Sequence, residues 1–548
     1  MSALHGSNNI LVRFCVGKPS AVTFDIGVFQ MCPPLISRFR NLPLRFCAGL
    51  GLIALGACTE SDQGEMGPQA FLGVPAPRGL ELPPQLSVLL DAGFTAAPAK
   101  VPPGEEGFTE LEGEVIRELA REIVAFSHES RDSGLRMWGR VSGFPAAVAT
   151  ADGVADRYRE AGLQRVEVQR YEPDADMWWP DAWEVRLLGN PDLEGGSEDV
   201  TLHSAVPARG TEIAGGTLTA PVVFVGDVGD FSDVDVTGKI AVQRRKPTSG
   251  AASQRTPIRE GAAELFDRGA VAVLNYVDQP GNMHVRDFSG CAHCFNIGGA
   301  DGAFITSVAE RAAAEGHADD VRVRLTLDAS MRSGLTAQNV VGIVPGDSDE
   351  VVVVNAHLDG WYGASGDNAD GLAVQIAMAR HFAKAENRQP RTLVFVASGG
   401  HHSTGLNGPQ NFVSMNPELA GEAVLALNLE HPAQYLVDPG SFEVQRTEQP
   451  LGWGITNLAP FLIELTDRGV ERYGMRLRPE YSTGVPGDLG RYSLLGIPRV
   501  QGIHAAPLYH TTGDVFESIS VEGLERAARF HTFFVKGVAA ASTEQIQP

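Results

Sequence analysis

Histidine and acidic residues follow a series of short apolar runs in the second half of the chain. The runs are VVVVNA, LVFVASGG and VLALNL, and a further polar group lies downstream in LYHTTGD. Imidazole and carboxylate groups are ligands that zinc and related divalent metals prefer. Alone, each signal is more commonly structural, and the Glu430–His431 pair could be a buried ion pair. Their shared order predicts a metal centre, and the residues that carry the pattern are His357, Asp359, Asp367, His401, His402, Glu430 and His510.

The elements that must position these residues alternate between strands and helices. The expected elements are strands at Val351–Asn355, Thr392–Ala397 and Val424–Leu429, and helices at Ala369–Lys384 and near Gln410–Val413. This alternation is typical of an α/β fold with a mainly parallel sheet that helices cover. Ligand sites in such open sheets form outside the carboxyl ends of the strands. The polar residues follow those ends.

The part of the chain before these residues shows two kinds of sequence pattern. Helices are expected at Glu110–Phe126 and Asp152–Ala161, and a strand at Val166–Tyr171. From 203 to 327, short apolar runs are separated by glycine and aspartate turns, with one helix at Ile258–Arg268. The segments VVFVGDVGDFSDVDVTGKIAVQRR, GAAELFDRGAVAVLNY and FNIGGADGAFI resemble a protease-associated domain. That resemblance implies a β-rich insert without catalytic groups that shapes access to a neighbouring site.

The order of the polar residues resembles that of the co-catalytic zinc exopeptidases, which include bacterial leucyl-type aminopeptidases and glutamate carboxypeptidase II. The resemblance extends from about Glu110 to the C-terminus. It implies a catalytic domain built from residues 108–202 and 328–548, with the protease-associated domain at 203–327. It also implies two zinc ions per chain, although the ligand types suit cobalt and manganese as well.

Carried over residue by residue, the resemblance implies a set of ligands. His357 and Glu430 bind one metal, Asp367 bridges both metals, and His510 binds the second. The family normally has a Glu-Glu pair after the second strand, of which the first is the general base and the second is a ligand.

This chain has His401-His402 in place of the Glu-Glu pair. Alignment on the preceding strand makes His402 the ligand and His401 the base, and neutral imidazole suits both roles. One extra residue follows the pair relative to the common family spacing. His401 and His402 could therefore exchange roles.

Further residues are expected around the metals. Asp359 would orient the ring of His357 or the bridging group. Tyr509 would donate a hydrogen bond to a developing oxyanion. Two alternatives stay open for Asp514, which either orients His510 or caps the next helix. A substrate pocket is expected to include Trp361, Tyr362 and Asp488, although the two aromatic residues could equally pack beneath their turn.

Composition limits the classes of partner. Hydrophobic residues are 43% and charged residues 20% of 548, as in ordinary globular proteins. The chain has 44 basic and 67 acidic residues, so its formal net charge is −23. Such an acidic surface argues against binding to nucleic acid and against electrostatic binding to anionic lipid.

The N-terminal sequence is typical of a targeting segment. Basic residues precede the apolar run Phe46–Ala57, which is too short to span a bilayer and ends in Leu-Gly-Ala before Cys58. This ending resembles the lipobox of bacterial lipoproteins and implies lipidation of Cys58. We therefore expect a signal peptide at residues 1–57, of which 1–30 could be a misassigned start, and a tether at 58–107. Export would permit a Cys291–Cys294 disulfide.

These features favour an exported, membrane-anchored di-metal hydrolase that cleaves peptide or amide bonds. An aminopeptidase-like exopeptidase acting on peptide or aminoacyl substrates is the first interpretation. A one-zinc acyltransferase resembling glutaminyl cyclases is an alternative on the same fold. Loss of both glutamates would instead suit a non-catalytic binding protein. The sequence does not determine side-chain specificity or oligomeric state.

Overall fold

Runs of valine and leucine form the centre of an eight-stranded sheet in the computed structural model of the chain. The structure describes residues 70–80, 97–193, 195–248, 252–286, 291–403, 405–480, 487–504 and 507–548. Cys58 and the expected signal peptide lie outside these residues. Residues Glu65–Pro548 form one compact unit.

Strands and helices are numbered in chain order. The strands are β1 (Ala70–Phe71), β2 (Val74–Pro75), β3 (Gly139–Arg140), β4 (Gln164–Tyr171), β5 (Met177–Leu187), β6 (Val200–Thr201), β7 (Val206–Pro207), β8 (Thr217–Asp227), β9 (Asp230–Phe231), β10 (Ile240–Arg245), β11 (Ala272–Val277), β12 (Cys294–Asn296), β13 (Arg322–Arg332), β14 (Ala337–Val344), β15 (Ser348–His357), β16 (Gly360–Trp361), β17 (Arg391–Ser398), β18 (Ala423–Leu429), β19 (Tyr435–Val437), β20 (Val444–Glu448), β21 (Leu451–Ile455), β22 (Leu477–Glu480) and β23 (Arg499–Ile503). The α-helices are α1 (Gly113–Asp132), α2 (Pro145–Ala161), α3 (Ala252–Asp267), α4 (Gly299–Glu315), α5 (Asp370–Ala383), α6 (Gly408–Met415), α7 (Pro417–Gly421), α8 (Pro460–Tyr473), α9 (Val521–Ala540) and α10 (Thr543–Ile546).

The larger domain contains the sheet β22-β21-β23-β18-β15-β17-β14-β4. Its centre, from β23 through β18 and β15 to β17, is parallel, whereas β14 and β4 are antiparallel additions on one side. The chain passes from β15 to β17 on one side and then to β18 on the other. Strand β15 is therefore the switch point, where open α/β sheets form their ligand sites.

Alternating side chains of the central strands supply a core on each face of this sheet. Val352 and Val354 pack into the larger core with helices α1, α2, α5 and α9. Val351 and Val353 face the other way, toward Phe412 of α6. A strand buried on both faces needs apolar residues at every position, which explains the uninterrupted valine run.

The expected elements of this domain are present, and the fold class is confirmed. Each of the three expected strands lies within β15, β17 or β18, and the helix expected at Ala369–Lys384 is α5. The largest difference between an expected and an observed helix boundary is at α2, which begins at Pro145 rather than at the expected Asp152. Pro145 occupies the first turn, where its missing N–H costs no hydrogen bond.

A second sheet has the strand order β6-β5-β13-β8-β10-β11-β12-β7, and β9 pairs with β8. Strands β8, β10, β11 and β12 are parallel, with α4 on one face and α3 on the other. The long antiparallel pair of β5 and β13 lies partly outside 203–327. Cys291 and Cys294, whose Cα atoms are 5.4 Å apart, form a disulfide beside β12. Among the described residues, no helix is both long and apolar enough to cross a membrane.

Arg140 holds the loop that joins β15 to α5. Its guanidinium is fully buried and donates to the backbone carbonyls of Leu358, Gly363 and Ala364, and also to the hydroxyl of Ser127. Burial lowers the pKa of Arg140 to about 10, so the group stays protonated at neutral pH. One side chain thus ties α1 and β3 to the loop that carries the predicted bridging aspartate.

Arg140→Met should lower the free energy of unfolding by roughly 3 kcal/mol or more, because three buried carbonyls lose a charged donor. Urea denaturation of the purified chain measures the change. Arg159→Met is the control, since Arg159 pairs with Asp156 on the exposed face of α2 and should change stability by less than about 0.5 kcal/mol. Equal effects of the two substitutions would contradict this role of Arg140.

Candidate metal centre

The carboxyl ends of three neighbouring parallel strands bring the predicted site together. His357 ends β15, His401 and His402 follow β17, and Glu430 follows β18. The rings of His357 and His401 stack with centroids 4.2 Å apart, and His402 lies edge-on to both. Parallel strands end at one edge of the sheet, so residues far apart in sequence become neighbours.

Asp367 lies at the centre of this group, and its carboxylate is buried. Oδ1 is 3.2 Å from Nε2 of His357 and 2.8 Å from Nε2 of His431. Oδ2 is 3.1 Å from Nε2 of His402 and 2.9 Å from Nε2 of His510. Nε2 of His402 is also 3.2 Å from Oδ1, so this ring contacts both oxygens, whereas His357 and His431 face Oδ1 and His510 faces Oδ2. The carboxylate thus has imidazoles on both oxygens, as a bridging ligand would.

The first candidate position is formed by Asp367, His402 and His510, whose ligand atoms lie within 4.8 Å of one another. Burial lowers the pKa of His402 well below its usual value and that of His510 to about 4. Both rings are therefore neutral at pH 7, which is the form that binds a metal.

The second candidate position is formed by His357, Asp367 and His431. Oε1 of Glu430 also faces it, 3.7 Å from Nε2 of His357 and 3.9 Å from Nε2 of His431. Oε2 of Glu430 accepts hydrogen bonds from Asn428 and Gln501, which hold the carboxylate in place.

His431 is the site residue that sequence reasoning missed. Its position directly after Glu430 was the only signal, and a buried ion pair explained it equally well. Its Nδ1 contacts the backbone carbonyl of His504, and its backbone N–H donates to Asn368. These contacts orient Nε2 toward Asp367. Burial alone would lower the pKa of His431, but Asp367 raises it to about 9, so a metal would displace a proton here.

The donor set fits zinc. Among the described residues, Nε2 of His357 and Oδ2 of Asp367 are buried and make no hydrogen bond of normal geometry, although Oδ2 is 2.9 Å from Nε2 of His510. Buried polar atoms of this kind are costly unless something binds them. Neutral imidazole nitrogens and carboxylate oxygens are borderline-hard donors, and zinc binds such sets in four-coordinate sites.

His401 differs from the other four histidines in its contacts. Its Nδ1 is 2.7 Å from Oδ1 of Asp488, and its Nε2 is 3.5 Å from Oε1 of Glu430. It also groups with His357 and His402 as a possible ligand set. His402, in contrast, lies between Asp367 and His510. This placement is compatible with the predicted division into a ligand and a base, which stays a prediction.

Asp488 supports His401. It lies in the 3-10 helix Gly487–Leu495, and its Oδ2 accepts hydrogen bonds from Ser398 and Asn355. Burial alone would raise the pKa of Asp488, but the charge and hydrogen bond of His401 lower it to about 2. Its expected place in a substrate pocket stays a prediction, whereas its contact with His401 was not foreseen.

Two other aspartates hold backbone segments of the site. The carboxylate of Asp359 accepts from the backbone N–H groups of His401 and His402, and its carbonyl oxygen is 2.9 Å from Nδ1 of His357. The carboxylate of Asp514 accepts from the backbone N–H groups of Gly366 and Asp367. Asp359 therefore orients His357 through its backbone, and Asp514 supports the loop that carries Asp367.

Of the predicted aromatic residues, Trp361 and Tyr362 are buried and Tyr509 is partly buried. Tyr509 stacks on His510 with ring centroids 3.6 Å apart, and burial raises its pKa, so it keeps its proton. Trp361 stacks on Trp179 in the core of the second sheet. Tyr362 is fully buried, with its hydroxyl toward Met137, and it packs beneath the turn.

The family comparison covers the region that carries this centre. Residues 339–535 match the profile of peptidase family M28. The matched region includes Asp367, the five histidines around it and Glu430, while residues 203–327 lie before it. No curated protein sequence matches the chain.

Solved structures share the fold of nearly the whole described chain. BSAP, a zinc aminopeptidase from Bacillus subtilis, is 21% identical, with coverage of 80% of this chain and 98% of its own and a TM-score of 0.55. A peptidase M28 precursor from Shewanella amazonensis is 18% identical, with coverage of 78% and 97% and a TM-score of 0.56. An aminopeptidase from Aneurinibacillus sp. strain AM-1 is 19% identical, with coverage of 81% and 98% and a TM-score of 0.52. The match and this fold together support a metallopeptidase.

His431→Phe should reduce bound zinc from about two equivalents to about one, because the second position loses a nitrogen donor while Asp367, His402 and His510 keep the first. Mass spectrometry of metal content after dialysis against buffer measures the loss. His317→Ala is the control, because His317 is a partly exposed histidine that pairs with Asp320 and is not among the candidate ligands. Unchanged zinc content in His431→Phe would show that His431 is not a ligand and would favour a structural Glu430–His431 ion pair.

Proposed function

We propose that the chain is a di-zinc exopeptidase of the aminopeptidase-like type. The observation that carries the proposal is the position of Asp367, whose carboxylate lies between His357 and His431 at Oδ1 and His510 at Oδ2, with His402 in contact with both oxygens. A one-metal enzyme has no need of a second complete ligand set. The M28 match over the same residues supports peptide-bond hydrolysis as the reaction.

The ligands would divide into two sets that share Asp367. His357, His431 and Glu430 would hold one zinc ion, and His402 and His510 would hold the other. When bound, zinc supplies a Lewis acid that polarises the scissile carbonyl and acidifies water. The neutral state of His402 and His510 at pH 7 prepares the first candidate position for binding.

His401 is the proposed proton acceptor. Asp488 accepts the Nδ1–H group of His401, so any proton exchange at this ring takes place at Nε2. Burial alone would lower the pKa of His401, but the charges of Asp488 and Glu430 raise it well above its usual value, and zinc bound beside the ring would lower it again. The backbone N–H of His401 is held by Asp359, so both the ring and its main chain are fixed. Tyr509, which keeps its proton, is placed beside His510 as a hydrogen-bond donor to a developing negative charge.

We also propose that the protein is exported and anchored through lipid on Cys58. The basis is the apolar run Phe46–Ala57 that ends at this cysteine. Metabolic labelling with a fatty-acid analogue should mark the full-length chain and should be lost in Cys58→Ser. Labelling that persists in Cys58→Ser would contradict the anchor.

If the proposed function is correct, the chain binds zinc and its peptide hydrolysis depends on that zinc. The purified chain should bind about two equivalents of zinc, lose dipeptide hydrolysis on chelation and regain it when zinc is added back. One equivalent of zinc would favour the cyclase-like acyltransferase. Failure to bind zinc at all would favour a binding protein.

Two substitutions, tested in the same assays, distinguish a role of His401 as base from a role as metal ligand. His401→Ala should lower kcat about 10²- to 10⁴-fold, and Asp488→Asn about 10- to 100-fold, with zinc content unchanged in both. Asp347→Asn, which changes an exposed acid paired with Arg388, is the control. If His401→Ala instead empties one zinc position, His401 is a ligand and His402 takes the other role.

A further inference from the structure

A buried asparagine lies beneath the metal centre, two residues before the end of β15. Asn355 is fully buried and stands directly opposite Asn428 of β18 in the parallel sheet. The residues that precede each of them in the strand core are valine, leucine or alanine. An amide pair in such an apolar layer costs free energy unless its hydrogen bonds are satisfied. The partners of the two amides therefore indicate what the pair does.

The amide of Asn355 uses all of its hydrogen-bonding groups. Its Nδ2 donates to Oδ1 of Asn428 at 2.7 Å and to Oδ2 of Asp488 at 3.3 Å. Its Oδ1 accepts from the hydroxyl of Tyr492 at 3.2 Å. An ionised carboxylate only accepts hydrogen bonds, so Asp488 requires the nitrogen of Asn355 on its side. The orientation of the amide is thereby set.

The two hydrogen bonds donated by Asn355 lead to two different parts of the site. Because the oxygen of Asn428 faces Asn355, its nitrogen faces away and donates to Oε2 of Glu430 at 2.8 Å. Oδ1 of Asp488 is 2.7 Å from Nδ1 of His401, and Nε2 of that ring is 3.5 Å from Oε1 of Glu430. These side chains form a closed ring. Within it, Asn355 donates directly toward one carboxylate and through Asn428 toward the other.

We propose that Asn355 is a positioning residue that holds the metal ligand Glu430 and the base His401 in one fixed arrangement. The inference rests on the proposed function and adds to it a residue that is itself buried away from the substrate. Because both carboxylates depend on the same amide, rotation of one of them loses a hydrogen bond of Asn355 and releases the other. Removal of such a partner of a metal site typically changes metal affinity or activity by about 10- to 100-fold.

Neither carboxylate has many other donors. Among the described residues, Oδ2 of Asp488 accepts one further hydrogen bond, from Ser398, and Oε2 of Glu430 accepts one besides that of the amide pair, from Gln501. A carboxylate with a single fixed donor can still rotate about its last bond, whereas two donors fix its plane. Loss of Asn355 should therefore loosen both groups without removing a ligand.

Three substitutions distinguish the shared residue from those that serve one carboxylate. The nearly isosteric Asn355→Leu should raise the dissociation constant of one zinc ion about 10- to 100-fold and, at saturating zinc, lower kcat for Leu-Ala about tenfold at unchanged KM. Asn428→Leu should weaken the same zinc ion but keep kcat within about threefold of that of the unmodified chain. Asp488→Asn should lower kcat alone. Competition titration with a chelator measures the zinc dissociation constants.

The His431→Phe chain shows which zinc ion responds. We expect it to keep only the zinc ion of the position to which Glu430 does not contribute. Adding Asn355→Leu to that chain should therefore leave the remaining zinc dissociation constant unchanged. Weakening of this zinc ion to the same extent would contradict the link through Glu430.

The matched control is Asn275→Leu in β11, a strand that carries none of the proposed ligands. Asn275 is also fully buried, and it accepts from Gln243 and donates to Asn296, so the substitution removes amide–amide bonds of the same kind. It should lower stability in urea but leave zinc binding and kcat unchanged. Effects on both as large as those of Asn355→Leu would reflect general stability and overturn the inference. Asn355→Ser keeps one donor and should show smaller changes in both quantities if Asn355→Leu does not fold.

Urea unfolding of the metal-free chain separates this inference from the proposed function. If Asn355 holds Asp488, the effects of Asn355→Leu and Asp488→Asn on the unfolding equilibrium constant should not multiply, and the double substitution should cost at least about threefold less than their product. Such coupling in a chain that hydrolyses no peptide would leave the inference standing and end the proposed function. Effects that multiply would show that Asn355 does not position Asp488, and would leave the proposed function intact.

Discussion

The burial of one carboxylate, Asp367, among four imidazoles is the constraint on which the site depends. Burial alone raises the pKa of Asp367, but His402 and His431 hold it well below its usual value. The resulting anion is stable only while the rings stay in place. The fold keeps them there with a parallel sheet whose strand ends converge, and with loops in which His431 and His510 adopt left-handed φ angles of 54° and 56°. Such angles cost energy in residues other than glycine and persist where surrounding contacts enforce them.

Other loops of the site are held by polar groups that bind backbone rather than side chains. Arg140 holds the carbonyls of the loop before Asp367, Asp514 holds its amides, and Asp359 holds the amides of the two adjacent histidines. Each group is buried, so its charge is compensated only when the loop has its present shape. The polar layer thereby fixes the ligand loops, while the valine-rich strands beneath it supply the rigid edge.

The second domain, which is formed by the second sheet and its helices, also contacts the loops of the site. Its strands extend from Met177 to Arg332, and its core includes Trp361 and Tyr362 from the turn after β15. On the other side, the backbone N–H of Arg286 donates to the carbonyl of His510. Packing of the second sheet against the larger one thus adds residues of both to the surroundings of the metal centre.

The sequence by itself determined the strands, their order and most of the centre. Uninterrupted apolar runs indicate buried parallel strands, and polar residues after such runs meet at one edge, so His357, His402 and Glu430 could be placed together from the strands. Asp367 and His510 were added by the resemblance to the co-catalytic zinc exopeptidases. Only the tertiary structure decided the places of His431 and Asp488. Their contacts depend on the left-handed backbone of His431 and on the 3-10 helix that brings Asp488 to Ser398 at the end of β17. No local pattern encodes such contacts, because they form between segments that only the folded chain brings together.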